Sequence, residues 1–291
     1  MPEYNDLAQT NSSQTDTIPL QPMGFTDILD GMFSLYRNHL RLLLAIAAVY
    51  FVLEFGVDLV SVSIMIGSGS STIVAVSAFS LIVTSLISVF VTAGLAYVSA
   101  HLYLGREITP GGALQRAGQR FWTYLGSVIL WSLVVVGLCF TIIGIPFSIY
   151  FSVRWELYTL PVLFEGTTAR SALRRSTELV KGTWWRVFGI TLAVSLISFM
   201  IYFILEASAG ILLSWVGIAE PEEPTGLLDT LRQLFIPTPL EIGWFSYIIR
   251  RLVTLSIATL TMPIGVIGST LIYFDLRIRK EAYDIEMQVT D

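Results

Sequence analysis

The segment Ser171–Ile190, "SALRRSTELVKGTWWRVFGI", contains the densest cluster of basic residues in the chain and a pair of tryptophans, and long apolar runs lie on both sides of it. Of the 291 residues, 54% are hydrophobic and only 13% are charged, and the mean hydropathy is +0.71. A soluble domain has about 25% charged residues, so this chain has too few charges to cover a globular surface. Apolar runs of about 18 residues or more indicate an all-α, polytopic membrane protein.

Six segments are apolar enough to predict transmembrane helices, since about 20 residues suffice to cross a bilayer. They are about Leu42–Ile66, Ile73–Tyr103, Trp122–Ile145, Pro146–Leu163, Trp185–Val216 and Leu252–Phe274. The fourth is the shortest, and only a turn at Gly144 and Pro146 separates it from the third. Residues 1–24 are polar and lack the basic start and apolar core of a signal peptide, so we expect a disordered tail there.

The distribution of basic residues predicts the orientation of the chain. Of the 17 Lys and Arg residues, 13 lie before the first span, between spans two and three, between spans four and five, or after the sixth. The opposite side has a predicted extracytoplasmic loop at about residues 217–243, with the acidic stretch "AEPEEPTGLLDT". Short loops rich in Lys and Arg stay in the cytoplasm, so we expect both termini to be cytoplasmic.

An amphipathic segment precedes each odd-numbered span, at about residues 25–41, 110–121 and 168–187. Each combines apolar positions at helical spacing with Arg or Lys and then reaches aromatic residues, which is typical of helices in the membrane interface. Two interpretations are open. The chain consists of three repeats of an amphipathic helix followed by a transmembrane hairpin, or it has only the basic flanks of any membrane protein.

The basic and aromatic residues of these segments are candidates for contact with anionic lipid headgroups, because each basic residue near an anionic leaflet contributes about 1 kcal/mol. The alternative is that they only orient the chain. The candidates are Arg116, Arg120, Arg170, Arg174, Arg175, Lys181, Trp184, Trp185 and Arg186.

Five charged residues lie within the predicted spans: Glu54, Asp58, Arg154, Glu156 and Glu206. A charge at the bilayer centre costs at least about 2.5 kcal/mol, so such residues face the bundle interior and pair. Glu54 and Asp58 are four residues apart and share a helix face, whereas Arg154 and Glu156 are two apart and point away from each other. We therefore expect Arg154 to pair with Glu54 or Asp58. The group is either an ion, proton or headgroup pathway or a salt bridge that fixes the helices.

Three stretches, "DILDGMFSLYRNHLRLL", "ALRRSTELVKGTWWRVFGI" and "LIYFDLRIRKEAYDIE", resemble the membrane domain of prokaryotic glycerophosphoryl diester phosphodiesterases and of related stand-alone bacterial membrane proteins without an assigned function. The resemblance covers about residues 25–286. In the fused members, catalysis belongs to a separate soluble barrel domain, for which these 291 residues leave no room. The resemblance therefore implies the membrane module without its enzyme, in the cytoplasmic membrane of a prokaryote.

Residues suited to chemistry are few. The chain has two histidines, His39 and His101, both at predicted cytoplasmic ends of spans, and one cysteine, Cys139, which excludes an intrachain disulfide. Neither catalytic motifs nor a nucleic-acid module is recognisable, so we expect no catalytic residue, metal, cofactor or nucleic-acid partner. The expected function is a non-enzymatic membrane module that binds lipid or an unidentified protein through its basic cytoplasmic face. The alternatives are a small transporter that uses the intramembrane charges and, third, an embedded enzyme that acts on lipid headgroups.

Overall fold

The structure, a computed structural model, describes residues 22–65, 69–218 and 244–290, the last nine of these by their backbone alone. Within these ranges the chain forms helices and no strand, which confirms the predicted all-α class. The helices are α1 (Phe25–Asn38), α2 (Leu40–Met65), α3 (Ser70–Tyr103), α4 (Pro110–Cys139), α5 (Gly144–Arg154), α6 (Thr159–Leu163), α7 (Ala169–Val180), α8 (Trp184–Trp215) and α9 (Trp244–Thr290). The predicted tail and extracytoplasmic loop lie almost entirely outside the described residues.

Five helices, α2, α3, α4, α8 and α9, are long and apolar enough to cross a membrane. The shortest of them, α2, has 26 residues, which gives a length of about 39 Å against about 30 Å of hydrocarbon. Large apolar side chains such as Val74, Leu81 and Phe199 are exposed on their outer faces. This outward apolar surface is what a lipid environment requires.

The predicted fourth span is not confirmed as one continuous helix. Helix α5 has 11 residues and ends at Arg154, and after a turn α6 adds only five. The break is stabilised by Ser176 of α7, whose Oγ donates to the Arg154 carbonyl oxygen at 3.0 Å and accepts from the Leu157 amide at 3.1 Å. Ser176 thus supplies partners for backbone groups that the interrupted helix leaves unpaired.

The three predicted amphipathic segments take different forms. The first and third are separate helices, α1 and α7, but residues 110–121 are the beginning of α4, which starts with Pro110 at its first position and Thr109 accepting from the Gly112 amide at 3.2 Å. Helix α1 runs antiparallel to α9, because Met23 contacts Asp275 while the Tyr36 hydroxyl donates to the Leu260 carbonyl oxygen at 2.8 Å. The apolar face of α1 is therefore covered by protein, and the three-unit repeat stays a prediction.

Helices α8 and α9 pack antiparallel over a long distance. The contacts along the pair are, in order, Arg186 with Asp275, Val194 with Gly268, Ser198 with Gly265, and Glu206 with Thr254. At the closest approach, a Cβ atom at Gly268 would lie 2.5 Å from Val194 Cγ1, so any side chain there would force its neighbours to shift. The pair defines two ends of the bundle, an Asp275 end and a Thr254 end.

Candidate functional site

The Asp275 carboxylate is the centre of a polar network at one end of the bundle. It is fully buried, and it accepts hydrogen bonds from the Met23 amide at 2.8 Å, from Arg186 Nη1 at 2.5 Å and from Arg279 Nε at 3.0 Å. Both guanidinium groups also donate to the Met23 carbonyl oxygen at 2.7 Å. Asp275 therefore joins α8, α9 and the segment that enters α1. Sequence reasoning missed it, although its four-residue spacing from Arg279 was visible.

A second network at the same end joins α7 to α9. Arg175 Nη2 donates to Glu281 at 2.6 Å, and the Tyr273 hydroxyl donates to Glu165 at 2.7 Å. Burial by itself lowers the pKa of Arg175, but Glu165 and Glu281 stabilise the charged guanidinium, and the net effect is a raised pKa. The Lys280 ammonium group donates to two backbone carbonyl oxygens at the end of α7. One belongs to Glu178 in the helix and the other to Lys181 directly after it.

Two arginines of α4 bind backbone carbonyl oxygens at the end of α6 and in the segment that follows it. Arg116 donates to the Leu163 carbonyl oxygen from Nε at 3.2 Å and from Nη2 at 3.1 Å, and Arg120 Nη1 donates to the Gly166 carbonyl oxygen at 3.2 Å. Gly166 has φ +68°, and a Cβ atom there would lie 2.8 Å from Arg120 Nη2. Four of the predicted lipid contacts are therefore engaged inside the protein: Arg116, Arg120, Arg175 and Arg186.

Arg170 and Arg174 differ from these four, because they are exposed and stand one helical turn apart at a groove between α4 and α7. The groove has a volume of about 380 Å³. Its other lining residues are Leu130, Val134, Trp155, Leu173 and Thr177. Arg174 lies 3.7 Å from Glu178, but an exposed pair of this kind contributes little. The groove thus combines apolar walls with two available guanidinium groups.

The two adjacent tryptophans have different surroundings. Trp184 Nε1 donates to the Tyr150 carbonyl oxygen at 3.2 Å, and its ring stacks between those of Tyr150 and Phe188. Trp185 is 78% exposed. Trp184 therefore fixes α5 to the start of α8, and Trp185 and the exposed Lys181 are available to an interface.

The two acidic residues of α2 pair with Arg251 of α9. Glu54 is only 3% exposed, and its Oε1 accepts from Arg251 Nη2 at 3.0 Å and from the Thr84 hydroxyl at 3.1 Å. Arg251 Nε donates to Asp58. The predicted pairing with Arg154 is wrong, because Arg154 ends α5 and its Nη1 donates to the Tyr150 hydroxyl at 2.8 Å, near the start of α8. Arg251 was missed because it precedes the predicted sixth span.

Glu206 makes an equivalent contact between α8 and α9. It is buried, and its Oε1 accepts from the Thr254 hydroxyl at 2.8 Å. The second carboxylate oxygens of Glu206 and Glu54 have no hydrogen-bond partner among the described residues. Both acids join helices in the Thr254 half of the bundle.

The remaining predicted charge, Glu156, lies in the turn between α5 and α6 at a cavity of about 350 Å³. The other residues that line the cavity are Thr191, Val194, Ser195, Ser198, Gly265, Ser269 and Ile272. The hydroxyl groups of Thr191 and Ser198 have no partner in the described part of the chain. The Glu156 carboxylate makes no ion pair or hydrogen bond with any described residue either.

Potential metal ligands are scattered in the described ranges, where no three His, Cys, Asp or Glu side chains are grouped to hold an ion. His101 Nδ1 contacts the Tyr97 carbonyl oxygen at 3.0 Å, and its ring packs on Tyr97 and Phe164. Its surroundings are those of a packing residue.

The apolar helices and their outward-facing side chains define the class of protein as a multi-pass α-helical membrane protein. Comparison with family models, with curated proteins and with solved structures gave no match. The function must therefore be argued from the groove, the cavity and the ion pairs themselves.

Proposed function

We propose that the protein is a non-enzymatic membrane module that binds anionic lipid at the Asp275 end, and that this end faces the cytoplasm of a prokaryotic cell. The predicted resemblance to the membrane domain of glycerophosphoryl diester phosphodiesterases agrees with such a module. The observation that carries the proposal is the groove between α4 and α7, with Arg170 and Arg174 at its mouth.

The groove matches the two parts of a phospholipid. Guanidinium groups bind phosphate oxygens through paired, charge-assisted hydrogen bonds, and two of them stand one turn apart here. Leu130, Val134 and Leu173 supply an apolar wall of the kind that accommodates an acyl chain. A volume of about 380 Å³ is in the range of a ligand site and suits a headgroup with the first part of one chain.

The test is the binding of a fluorescent phosphatidylglycerol to the purified full-length protein in detergent. The Arg170→Gln/Arg174→Gln variant is expected to bind it at least about tenfold more weakly, because two charged hydrogen bonds are lost. The matched control is Arg37→Gln/Arg41→Gln, which removes two exposed basic residues elsewhere. An equal loss of affinity in both variants would show that the effect comes from net charge. An unchanged affinity in the Arg170→Gln/Arg174→Gln variant would refute lipid binding at the groove.

A second candidate function, transport, rests on the Glu156 cavity. The Glu156 carboxylate is half-buried and has no ion pair among the described residues, and it lies beside unpartnered hydroxyl groups. This arrangement favours a proton or a small cation, because an unpaired charge is unfavourable away from water. The test is proton flux into proteoliposomes under an imposed potential, followed with a pH-sensitive dye. Transport requires a flux that Glu156→Gln abolishes and that Arg154→Gln, a neighbour outside the cavity, leaves intact. No flux above empty liposomes would favour lipid binding alone.

A further inference from the structure

Helices α4 and α5 form a hairpin, called the α4–α5 hairpin below, whose position along the bundle can be compared with that of α8 and α9. These helices mark the Asp275 end by the Arg186–Asp275 pair and the Thr254 end by the Glu206–Thr254 pair. The 21 helical steps of α9 from Thr254 to Asp275 correspond to about 31 Å, close to the thickness of a hydrocarbon core. A helix that crosses the membrane beside them must run from one end to the other.

The beginning of α4 lies at the Asp275 end. Arg116 donates two hydrogen bonds to the Leu163 carbonyl oxygen. The next residue, Phe164, has its ring 6.5 Å from that of Phe274, directly before Asp275.

The middle of α4 packs against α7, which is itself attached to the Asp275 end of α9. A Cβ atom at Gly126 would lie 3.5 Å from the Cβ of Ala169, the first residue of α7. Helix α7 is attached to the end of α9 by the ion pair between Arg175 and Glu281 at 2.6 Å.

The last turns of α4 also return to this end. The Ser148 hydroxyl donates to the Val135 carbonyl oxygen at 3.0 Å, which pairs α5 with α4. Two residues later, Tyr150 accepts a hydrogen bond from Trp184, the first residue of α8, which stands two positions before Arg186. Val135 is therefore connected through α5 to the start of α8, on the Asp275 side of the bundle.

These contacts exclude an α4 that runs alongside α8. The 19 helical steps from Arg116 to Val135 would carry a parallel helix about 28 Å toward the Thr254 end. We propose that the α4–α5 hairpin does not cross the membrane and instead lies within the cytoplasmic leaflet, where its partner is the acyl region of that leaflet. The chain then crosses four times, through α2, α3, α8 and α9, and both termini remain cytoplasmic.

The surface of the hairpin fits acyl chains. No charged residue occurs among the 33 residues from Phe121 to Val153, and three side chains at the turn, Phe140, Ile142 and Ile143, are 81–88% exposed. Such a surface is unfavourable in water. The turn also pairs part of its own backbone, since the Thr141 amide donates to the Leu138 carbonyl oxygen and the Gly144 amide to that of Thr141. Lipid requires this internal pairing.

The test places a single cysteine at the turn. In a Cys139→Ser background, which removes the one native cysteine, Thr141→Cys and, separately, Ile142→Cys are made. A membrane-impermeant maleimide added to intact cells should label Val216→Cys, at the far end of α8, and should leave both turn variants and Arg106→Cys unlabelled. Labelling of a turn variant at the level of Val216→Cys would overturn the proposal, because a hairpin that crosses presents its turn outside.

A second measurement distinguishes the leaflet from the cytoplasm. A fluorophore attached at Thr141→Cys or Ile142→Cys in reconstituted protein should be quenched severalfold by phospholipid with brominated acyl chains. The same fluorophore at Arg106→Cys, in an exposed loop, should be quenched much less. Equal and weak quenching at all three positions would place the hairpin in water and would also overturn the proposal.

Discussion

At the scale of single residues, the buried Asp275 carboxylate accepts hydrogen bonds from two arginines and one backbone amide. The Asp275→Asn variant should lower stability by about 3–5 kcal/mol, because Arg186 and Arg279 lose their shared counter-charge inside the protein. The thermal unfolding midpoint in detergent measures the change. The control Glu178→Gln breaks only the exposed pair with Arg174, for which about 0–1 kcal/mol is expected. Similar midpoints for both variants would contradict the structural role of Asp275.

Arg251 holds the opposite half of the bundle in the same way. Arg251→Leu leaves Glu54 and Asp58 without their cation, so a loss of about 3–5 kcal/mol is expected. Adding Glu54→Gln should restore part of that stability, because one of the two orphaned charges is removed. Arg154→Leu is the control, since among the described residues the polar contacts of the Arg154 side chain are with the Tyr150 hydroxyl and ring. A purely additive double variant would show that the charges do not interact.

Residue-level prediction from sequence succeeded where local spacing carries the information and failed where partners are distant. Glu54 and Asp58 do share one face and one partner, as their spacing indicates. The partner itself, Arg251, is 193 residues from Asp58, and nothing in the local pattern distinguishes it from a basic flank. Most of the predicted lipid-binding arginines likewise bond internally to residues that only the fold brings near.

At the scale of elements, the contact between α8 and α9 depends on the absence of a side chain at Gly268. Gly268→Ala should destabilise the protein by about 1–3 kcal/mol, because the new methyl group would lie 2.5 Å from Val194 Cγ1 in a closely packed site. Gly137→Ala is the matched control, since a Cβ atom there meets nothing within 4 Å. Thermal unfolding in detergent should separate the two, and a loss in Gly137→Ala as large as in Gly268→Ala would remove the packing explanation.

Element boundaries followed from sequence where apolar length decides them, and most observed helix ends lie close to the predicted spans. The predicted sixth span, Leu252–Phe274, is shorter at both ends than α9, which runs from Trp244 to Thr290. The fourth span departs further from this rule. Ser176, on another helix, bonds to the backbone on both sides of the break after Arg154, so the interruption is stabilised by tertiary contact rather than by a local breaker. Hydropathy alone also cannot separate residues 110–121 from the apolar helix that they begin.

At the scale of the whole molecule, composition was sufficient for the class of protein, because 13% charge cannot cover a soluble surface. The number of membrane crossings, in contrast, does not follow from composition. Helix α4 has the length and hydropathy of a span, yet its contacts at Arg116, Gly126 and Val135 are with α6, α7 and α5. Length permits a crossing, and only long-range contacts decide whether one occurs.

The charges of the molecule form two populations that should respond differently to salt. The pairs at Asp275 and Glu54 involve carboxylates that are almost completely buried, whereas Arg170 and Arg174 are exposed at their groove. Screening over a Debye length of about 10 Å at 0.1 M acts on exposed charges and much less on buried pairs. Raising NaCl from about 0.05 M to about 0.5 M should therefore weaken the binding of fluorescent phosphatidylglycerol severalfold while the thermal midpoint changes little. A midpoint that falls together with lipid binding would mean that the buried networks are open to ions, and salt-independent binding would mean that apolar contacts alone hold the lipid.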